Sequence, residues 1–367
     1  MIVQNQSIVA KNKGRFYGWP ANCGMWLWPG KDGDHDEILV GLVEGWHLQD
    51  HGNNHAIDTT KERTVIFSRS YDGGRTWTLE RPELKQPDLE VLNTTEPDDE
   101  KDAAVIPDCP GGIDFTAPGF AMMFQNMTTH YPSRSWFYVT QDKGHTWEGP
   151  YRVPMFCKAM SMRTDYMVLD KDTMLLGMTG SRDDGFEGIT FYGKLSDGGK
   201  TWTRLGTMGE IHCDGFRIMP STVRLPDGAL LCATRYCEKG GPRYIEMFRS
   251  DDEGQSWNAI SRVGWTDDTH AGNPPAMQML PDGRILLVYG QRQEPRGMVA
   301  LTSTDGVNWS EPFFIRRNAG SPDMGYPRMV IRSDGSAVAA YYYMMTTHYY
   351  DHDEEEERFI GATIFRP

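Results

Sequence analysis

Apolar residues in this chain come in short runs, among them Ala229 to Ala233 and Ile285 to Tyr289, and the runs stop at turn residues before reaching helical length. Three of these turns are spelled out, as Leu225-Pro226-Asp227-Gly228, Leu280-Pro281-Asp282-Gly283 and Ser333-Asp334-Gly335. Glycine supplies positive φ and aspartate bonds backbone amides two residues on, so each predicts a β-hairpin.

One polar-aromatic string recurs among these hairpins. It reads SYDGGRTW at Ser70 to Trp77, TQDKGHTW at Thr140 to Trp147, LSDGGKTW at Leu195 to Trp202, SDDEGQSW at Ser250 to Trp257, and a shortened STDGVNW at Ser303 to Trp309. Its aspartates, Asp72, Asp142, Asp197, Asp252 and Asp305, stand 70, 55, 55 and 53 residues apart. A near-constant spacing marks one structural unit of about four antiparallel strands, repeated; units of that size arranged in a ring make a propeller, which removes sheet edges by radial closure. The expected architecture is all-β, a six-bladed β-propeller forming one domain over residues 1–367. Its blades fall near 14–80, 112–150, 160–206, 215–260, 272–312 and 325–366, and a strand at 2–10 completes the last. The acidic, proline-bearing stretch 82–110 reads as a surface loop.

Composition narrows the class. With 51 acidic against 37 basic residues the chain carries a net charge of -14, unsuited to coating nucleic acid. Aromatics at 11% exclude a disordered chain, and no apolar window of membrane-spanning length occurs. The 39 Gly, 22 Pro and 11 Trp become turn and packing residues of the blades. Six cysteines, Cys23, Cys109, Cys157, Cys213, Cys232 and Cys237, are too sparse for a disulfide scaffold and read mostly as buried thiols. Met1 to Gly14 holds no apolar core of leader length, so a cytoplasmic location is expected as the chain is given, or a secreted or periplasmic one if a leader was trimmed.

The five strings over six blades resemble the Asp-box, or BNR-repeat, propellers of the sialidase superfamily. In that family a tyrosine nucleophile opens the last blade, and the resemblance assigns this role to Tyr326 of Gly325-Tyr326-Pro327. It gives the second family arginine to Arg235, the third to Arg296 with Arg292 as a rival, and the acid/base carboxylate to Asp50 with Asp58 second. The chain also departs from the family pattern. Gly18 stands where the first carboxylate-binding arginine belongs, Tyr342 where the glutamate buttressing it belongs, Pro220 where the glutamate activating the tyrosine belongs, and Trp46 replaces the arginine of the segment before Asp50. The first two losses are consistent, because the acid without its cation would be a buried unpaired charge. The implied enzyme is a sialidase-like exo-glycosidase whose carboxylate clamp is partly dismantled.

Residues expected to line an axial pocket include Trp19, His47, His130, Arg163, Asp165, Arg182, Arg217, Arg235, Arg292, Tyr326, Arg328, Tyr343 and His348. Guanidinium forks suit a carboxylate or sulfate, although Asp165, Asp214 and Asp323 could occupy some of them as salt-bridge partners. A phenol with an ordinary pKa near 10 needs help to act as a nucleophile. With Pro220 unable to supply it, Arg217, Arg328 or a histidine is left to do so. His47, Asp50, His51 and His55 form the densest titratable group, with His47 a catalytic candidate. Trp19 and Trp46 offer faces on which a sugar can stack, or pack between blades. No spacing points to a metal or cofactor, and the run Asp351 to Glu357 reads as a solvated loop.

Three functions fit. The first is a hydrolase releasing a terminal, anionic sugar, sialic acid or a related acidic or deoxy sugar, from a glycan; the second a polysaccharide lyase acting on uronic-acid linkages; the third a non-catalytic sugar-binding propeller. Each expects a glycan partner and neither nucleic acid nor membrane, and none sets the oligomeric state.

Overall fold

The computed structural model describes residues 1–48, 55–210, 215–267, 272–345 and 357–367. Asp50, His51, Asp214, His348 and the acidic run through 356 lie outside them. No helix among the described residues is long and apolar enough to cross a membrane.

The strands form six antiparallel sheets, and the fold is a six-bladed β-propeller. Blade one pairs Arg15–Gly18, Glu37–Trp46, Thr64–Ser70 and Thr78–Glu80, with Met25–Trp28 also on Glu37–Trp46. Blade three holds Tyr166–Val168, Met174–Ser181, Glu187–Ser196 and Thr201–Thr207; blade four holds Phe216–Arg224, Leu230–Cys237, Arg243–Ser250 and Asn258–Asp267. Blade five is Ala276–Met279, Ile285–Gln291, Gly297–Ser303 and Phe313–Arg317. Blade six is Gly325–Ile331, Ala337–Met345 and Glu357–Arg366, completed by Ile2–Ala10 with Ile2 opposite Arg366.

Blade two has three strands among the described residues, Ala121–Asn126, Ser135–Thr140 and Glu148–Arg152, where about four were expected. The segment ahead of Ala121 contains Pro107, Pro110 and Pro118, which lack the ladder donor, and Gly111 and Gly112, both at positive φ.

Two compact units divide the chain. One comprises Met1–Arg81, Pro242–Ile245 and Arg262–Pro367, the other Pro82–Gly241 and Glu246–Ser261. The first is cored by Phe16, Val40, Leu42, Val338 and Ile360, and by Leu286, Val288, Ala300, Tyr341 and Phe359. The second is cored by Phe124, Phe137, Met160, Leu176 and Phe191, and by Leu175, Tyr192, Leu230 and Phe248. Cys23, Cys109, Cys232 and Cys237 are buried thiols and Cys157 is partly buried.

The repeated string is a self-bonded turn. Asp72 accepts the amides of Arg75 and Thr76 at 3.0 and 2.9 Å and the Thr76 hydroxyl at 2.6 Å, Ser70 Oγ takes the Gly74 amide, and Trp77 Nε1 donates to the Gly74 carbonyl. The strings at Asp142 and Asp252 repeat the bonds of the aspartate to the amide and hydroxyl at the Thr76 position, of the glycine amide to the leading hydroxyl and of the tryptophan to the glycine carbonyl. Blade three departs, because Leu195 replaces the hydroxyl residue and Asp197 itself takes φ 56°.

The stretch 82–110 is more than a surface loop. It forms short helices at Leu89–Thr94 and Asp99–Asp102 and buries Leu92, Asp102 and Ile106. Arg134 fixes it, donating to Asp102 at 3.0 Å and to the carbonyls of Leu92 and Thr95 at 2.6 and 2.9 Å.

Candidate active site

Tyr326 opens the first strand of blade six in a backbone conformation that tyrosine seldom adopts, φ 50°, immediately after Gly325 at φ 106°. Buried Asn273 imposes it: Oδ1 accepts the Tyr326 amide at 3.1 Å and the Gly290 amide at 3.2 Å, and Nδ2 donates to the Met324 carbonyl at 2.7 Å. A β-carbon on Gly325 would lie 2.2 Å from Asn273 Nδ2, so glycine is required there.

The phenol so placed meets His55. Tyr326 Oη lies 3.4 Å from His55 Nε2, and His55 Nδ1 lies 2.5 Å from Asp323 Oδ1. The other oxygen of Asp323, Oδ2, accepts the Tyr342 hydroxyl at 2.7 Å and Arg358 Nη1 at 2.8 Å. Arg358, its side chain fully buried, also donates to the Asp323 carbonyl and to Tyr342 Oη. Trp19, Tyr326 and Tyr342 surround the imidazole edge-on, with ring centres 5.0, 5.6 and 6.4 Å away.

Electrostatics sharpen the arrangement. Burial would raise the Asp323 carboxyl, but the His55 bond and charge and then the Arg358 charge outweigh it and hold the group well below the usual carboxylate range. Burial would lower His55; charge on Tyr326 and the bond to Asp323 outweigh it, and the imidazole sits above its ordinary value. Burial pushes the Tyr342 phenol well up, so it stays a donor. An ionised carboxylate only accepts hydrogen bonds. His55 Nδ1 must therefore carry a proton, and in the neutral ring Nε2 presents a bare lone pair to Tyr326.

Of the two rival arginines, Arg292 stands beside Tyr326, its guanidinium 5.7 Å from the ring centre and Nη2 on the Met324 carbonyl at 3.3 Å. Arg296 instead pairs with Glu294 at 2.8 Å and bonds the Arg292 carbonyl, beyond the tight turn at Glu294–Pro295. Arg328 donates to the Ala21 carbonyl at 3.1 Å.

The family departures have structural counterparts. A β-carbon at Gly18 would lie 2.5 Å from the Phe16 ring, which packs on Trp19 and Tyr342, so no side chain fits where the family arginine would be. Tyr342, in the place of that arginine's glutamate, serves Asp323 instead.

Other predicted residues belong to the same unit. His47 makes an isolated bridge to Ile57, and Trp46 is 43% exposed under the Arg15 guanidinium, 4.3 Å from its ring centre. Asp58 bonds Thr60 and Lys61, which hold its carboxyl down, a poor state for a general acid. In the sequence Asp323 is legible only as a salt-bridge partner and His55 only within its titratable group. No sequence motif marks Asn273 or Arg358.

In the second unit, Arg217 is held by buried Glu246 through Nε and Nη2 at 2.7 and 2.6 Å, and Arg163 reaches Glu187 at 3.2 Å. Glutamates thus partner both of these arginines. Arg235 lies over Phe216 at 5.3 Å with Nη1 near Met219 Sδ, and Asp165 accepts the Thr222 hydroxyl and amide. Pro220 packs against Gly177 beside Asp165. Glu246 escaped the sequence reading, though a lone acid inside the apolar strand Tyr244-Ile245-Glu246-Met247-Phe248 was a usable signal. No grouping suited to a metal ion occurs among the described residues.

The BNR repeat-like domain family profile matches residues 120–339, and the chain belongs to that family. No curated protein matches the sequence. Among solved structures, a protein of unknown function from Dyadobacter fermentans superposes with a TM-score of 0.69 at 17% identity, over 99% of this chain and 98% of that one. The NanB sialidase of Streptococcus pneumoniae gives 0.61 at 13% identity, over 99% of this chain and 71% of that one. An alpha-L-arabinofuranosidase of Fusarium graminearum gives 0.52 at 13% identity, over 98% of each chain. At such identities the likeness shows a shared propeller fold, and function has to be argued from the site.

Proposed function

We propose that this protein is a glycoside hydrolase that releases a terminal acidic sugar, other than an ordinary sialic acid, from a glycan, with Tyr326 as nucleophile. The observation that carries the reading is the 3.4 Å approach of Tyr326 Oη to His55 Nε2. In the forward step the phenol proton passes to Nε2, the phenolate oxygen bonds to the anomeric carbon, and the glycosidic C–O bond breaks as the leaving oxygen takes a proton. Asp50 is the proposed donor of that proton. Water then gives a proton back to Asp50 as its oxygen bonds to the anomeric carbon and the glycosyl–tyrosine bond breaks, the anomeric configuration is retained, and the proton on His55 returns to Tyr326. A positioned base of this kind contributes about 10²–10⁴-fold. Arg292 offers a cation for the sugar's carboxylate. The site closed at Gly18 argues against a three-arginine clamp.

The same Tyr–His pair also favours a second reading, a lyase in which it removes the proton at C5 of a uronide. A panel of terminal sialosides, uronides and deoxy glycosides followed by NMR separates the two. Retained-anomer sugar, lost in Tyr326→Phe and His55→Asn, supports hydrolysis, whereas an unsaturated, ultraviolet-absorbing product supports the lyase. Full turnover by Tyr326→Phe overturns both.

A further inference from the structure

Asp323 touches no reacting atom in this scheme, yet both its carboxylate oxygens and its carbonyl are engaged. We infer that Asp323 is a positioning residue that fixes the tautomer of His55, and that Arg358 and Tyr342 hold its carboxylate in the orientation this requires. The inference rests on the Tyr326–His55 reading above.

Asp323 lies on the segment leading into the first strand of blade six, and its own amide donates to Ser321 Oγ at 3.1 Å. Tyr342 comes from the second strand of the blade and Arg358 from the third, and both donate to Oδ2. With Oδ2 so occupied, Oδ1 turns to His55 Nδ1. Arg358 Nη1 also bonds the Asp323 carbonyl, gripping backbone and side chain together. A merely structural Arg358–Asp323 pair would not require a histidine from residue 55 on the remaining oxygen. Among the described residues, the charged and titratable groups facing this pair are Tyr326, Tyr342, Arg358 and Arg292. None of the four offers Nδ1 an alternative acceptor in the described contacts. The consequence is directional: with Nδ1 as donor, Nε2 is left free to accept the Tyr326 proton, and the imidazolium formed is stabilised by the anion behind it.

Imidazole ¹⁵N NMR on the full chain tests this without any substrate. His55→Asn identifies the His55 signals among the 10 histidines. In the wild type above the His55 pKa, the proton is expected on Nδ1. In Asp323→Asn, whose amide can donate to Nδ1, it is expected on Nε2, and kcat on a substrate found by the panel above should fall about 10²–10⁴-fold with KM little changed. Tyr342→Phe leaves Arg358 on Oδ2, so the proton should stay on Nδ1 with a smaller loss of kcat. A neutral wild-type His55 protonated on Nε2 overturns the inference, even if Asp323→Asn fails to fold. An Asp323→Asn protein with unchanged tautomer and kcat overturns it as well. Loss of the glycosidase reading would appear separately, as full turnover in Tyr326→Phe.

Discussion

Asn273 accepts the amide of Tyr326 at 3.1 Å and donates to the carbonyl of Met324 at 2.7 Å, so one buried side chain sets the backbone on both sides of Gly325. Left-handed φ at a tyrosine costs roughly 1–3 kcal/mol and persists only when neighbours over-determine it. In Asn273→Asp the donor to Met324 is lost and a carboxylate faces a carbonyl. Urea denaturation should show a loss of about 1–3 kcal/mol, the cost of unsatisfied buried polar groups. Turnover should fall as Tyr326 drifts from His55. Gly325→Ala, whose new β-carbon meets Asn273, should do the same. Wild-type stability and turnover in both variants would show that the backbone here is set by something else.

The pH response of His55 should have opposite signs for stability and turnover. Its folded pKa is raised, so the stability it contributes is full below its unfolded value near 6.5 and is lost as pH rises through the folded value. Asp323 is lowered, so its contribution is present above about 3.9 and is lost as pH falls through the folded value. Turnover needs the neutral imidazole and should rise along the same limb on which stability declines. Urea midpoints between about pH 6 and 9, compared with His55→Asn, should show the wild type losing its advantage. A flat difference between the two proteins would count against the raised pKa.

Arg134 and Asp102 form a fully buried pair that holds residues 89–106 down. Removing one partner leaves a buried charge alone, so Arg134→Met or Asp102→Ala should each cost about 3–5 kcal/mol. A double apolar replacement should recover part of that. The measurement is chemical denaturation with limited proteolysis, and cleavage within 82–110 is expected first in the single variants.

Equivalent aspartates in the repeat should not be equally important. Asp72 bonds two amides and a hydroxyl, and Asp72→Ala should cost about 1–2 kcal/mol. Asp197, bonded to the Thr201 hydroxyl and lacking the serine partner two residues before it, should be markedly less sensitive. Equal losses in thermal melts would contradict the local-bond account.

The propeller was legible because its signature is local: the string from Ser70 to Trp77 satisfies its own hydrogen bonds within eight residues, and a spacing near 55 then repeats it. The site was only half legible. Tyr326 could be found from its place before a strand and turn, but its partner lies 271 residues away and that partner's carboxylate 268 residues away. No pattern of periodicity reports such a meeting. That Arg292 rather than Arg296 stands beside Tyr326 is illegible for a related reason. Two arginines four residues apart straddle a turn, and only the path of the chain decides which guanidinium faces inward. Residues 82–110 were misjudged because their composition is solvent-like, while a single arginine in the following blade supplies the bonds that order them.

The strand Ile2–Ala10 pairs with Glu357–Arg366, and between them Gln6 reaches the Ile315 carbonyl and Ser7 the Gly74 carbonyl. During synthesis this first segment must therefore wait, its ladder donors unmet by their eventual partner, until the last ten residues of blade six have left the ribosome. Blade six, which carries Tyr326, Tyr342 and Arg358, is completed only when residues 2–10 meet residues 357–366, so the sheet that holds Tyr326 closes through the longest chain separation of any ladder among the described residues.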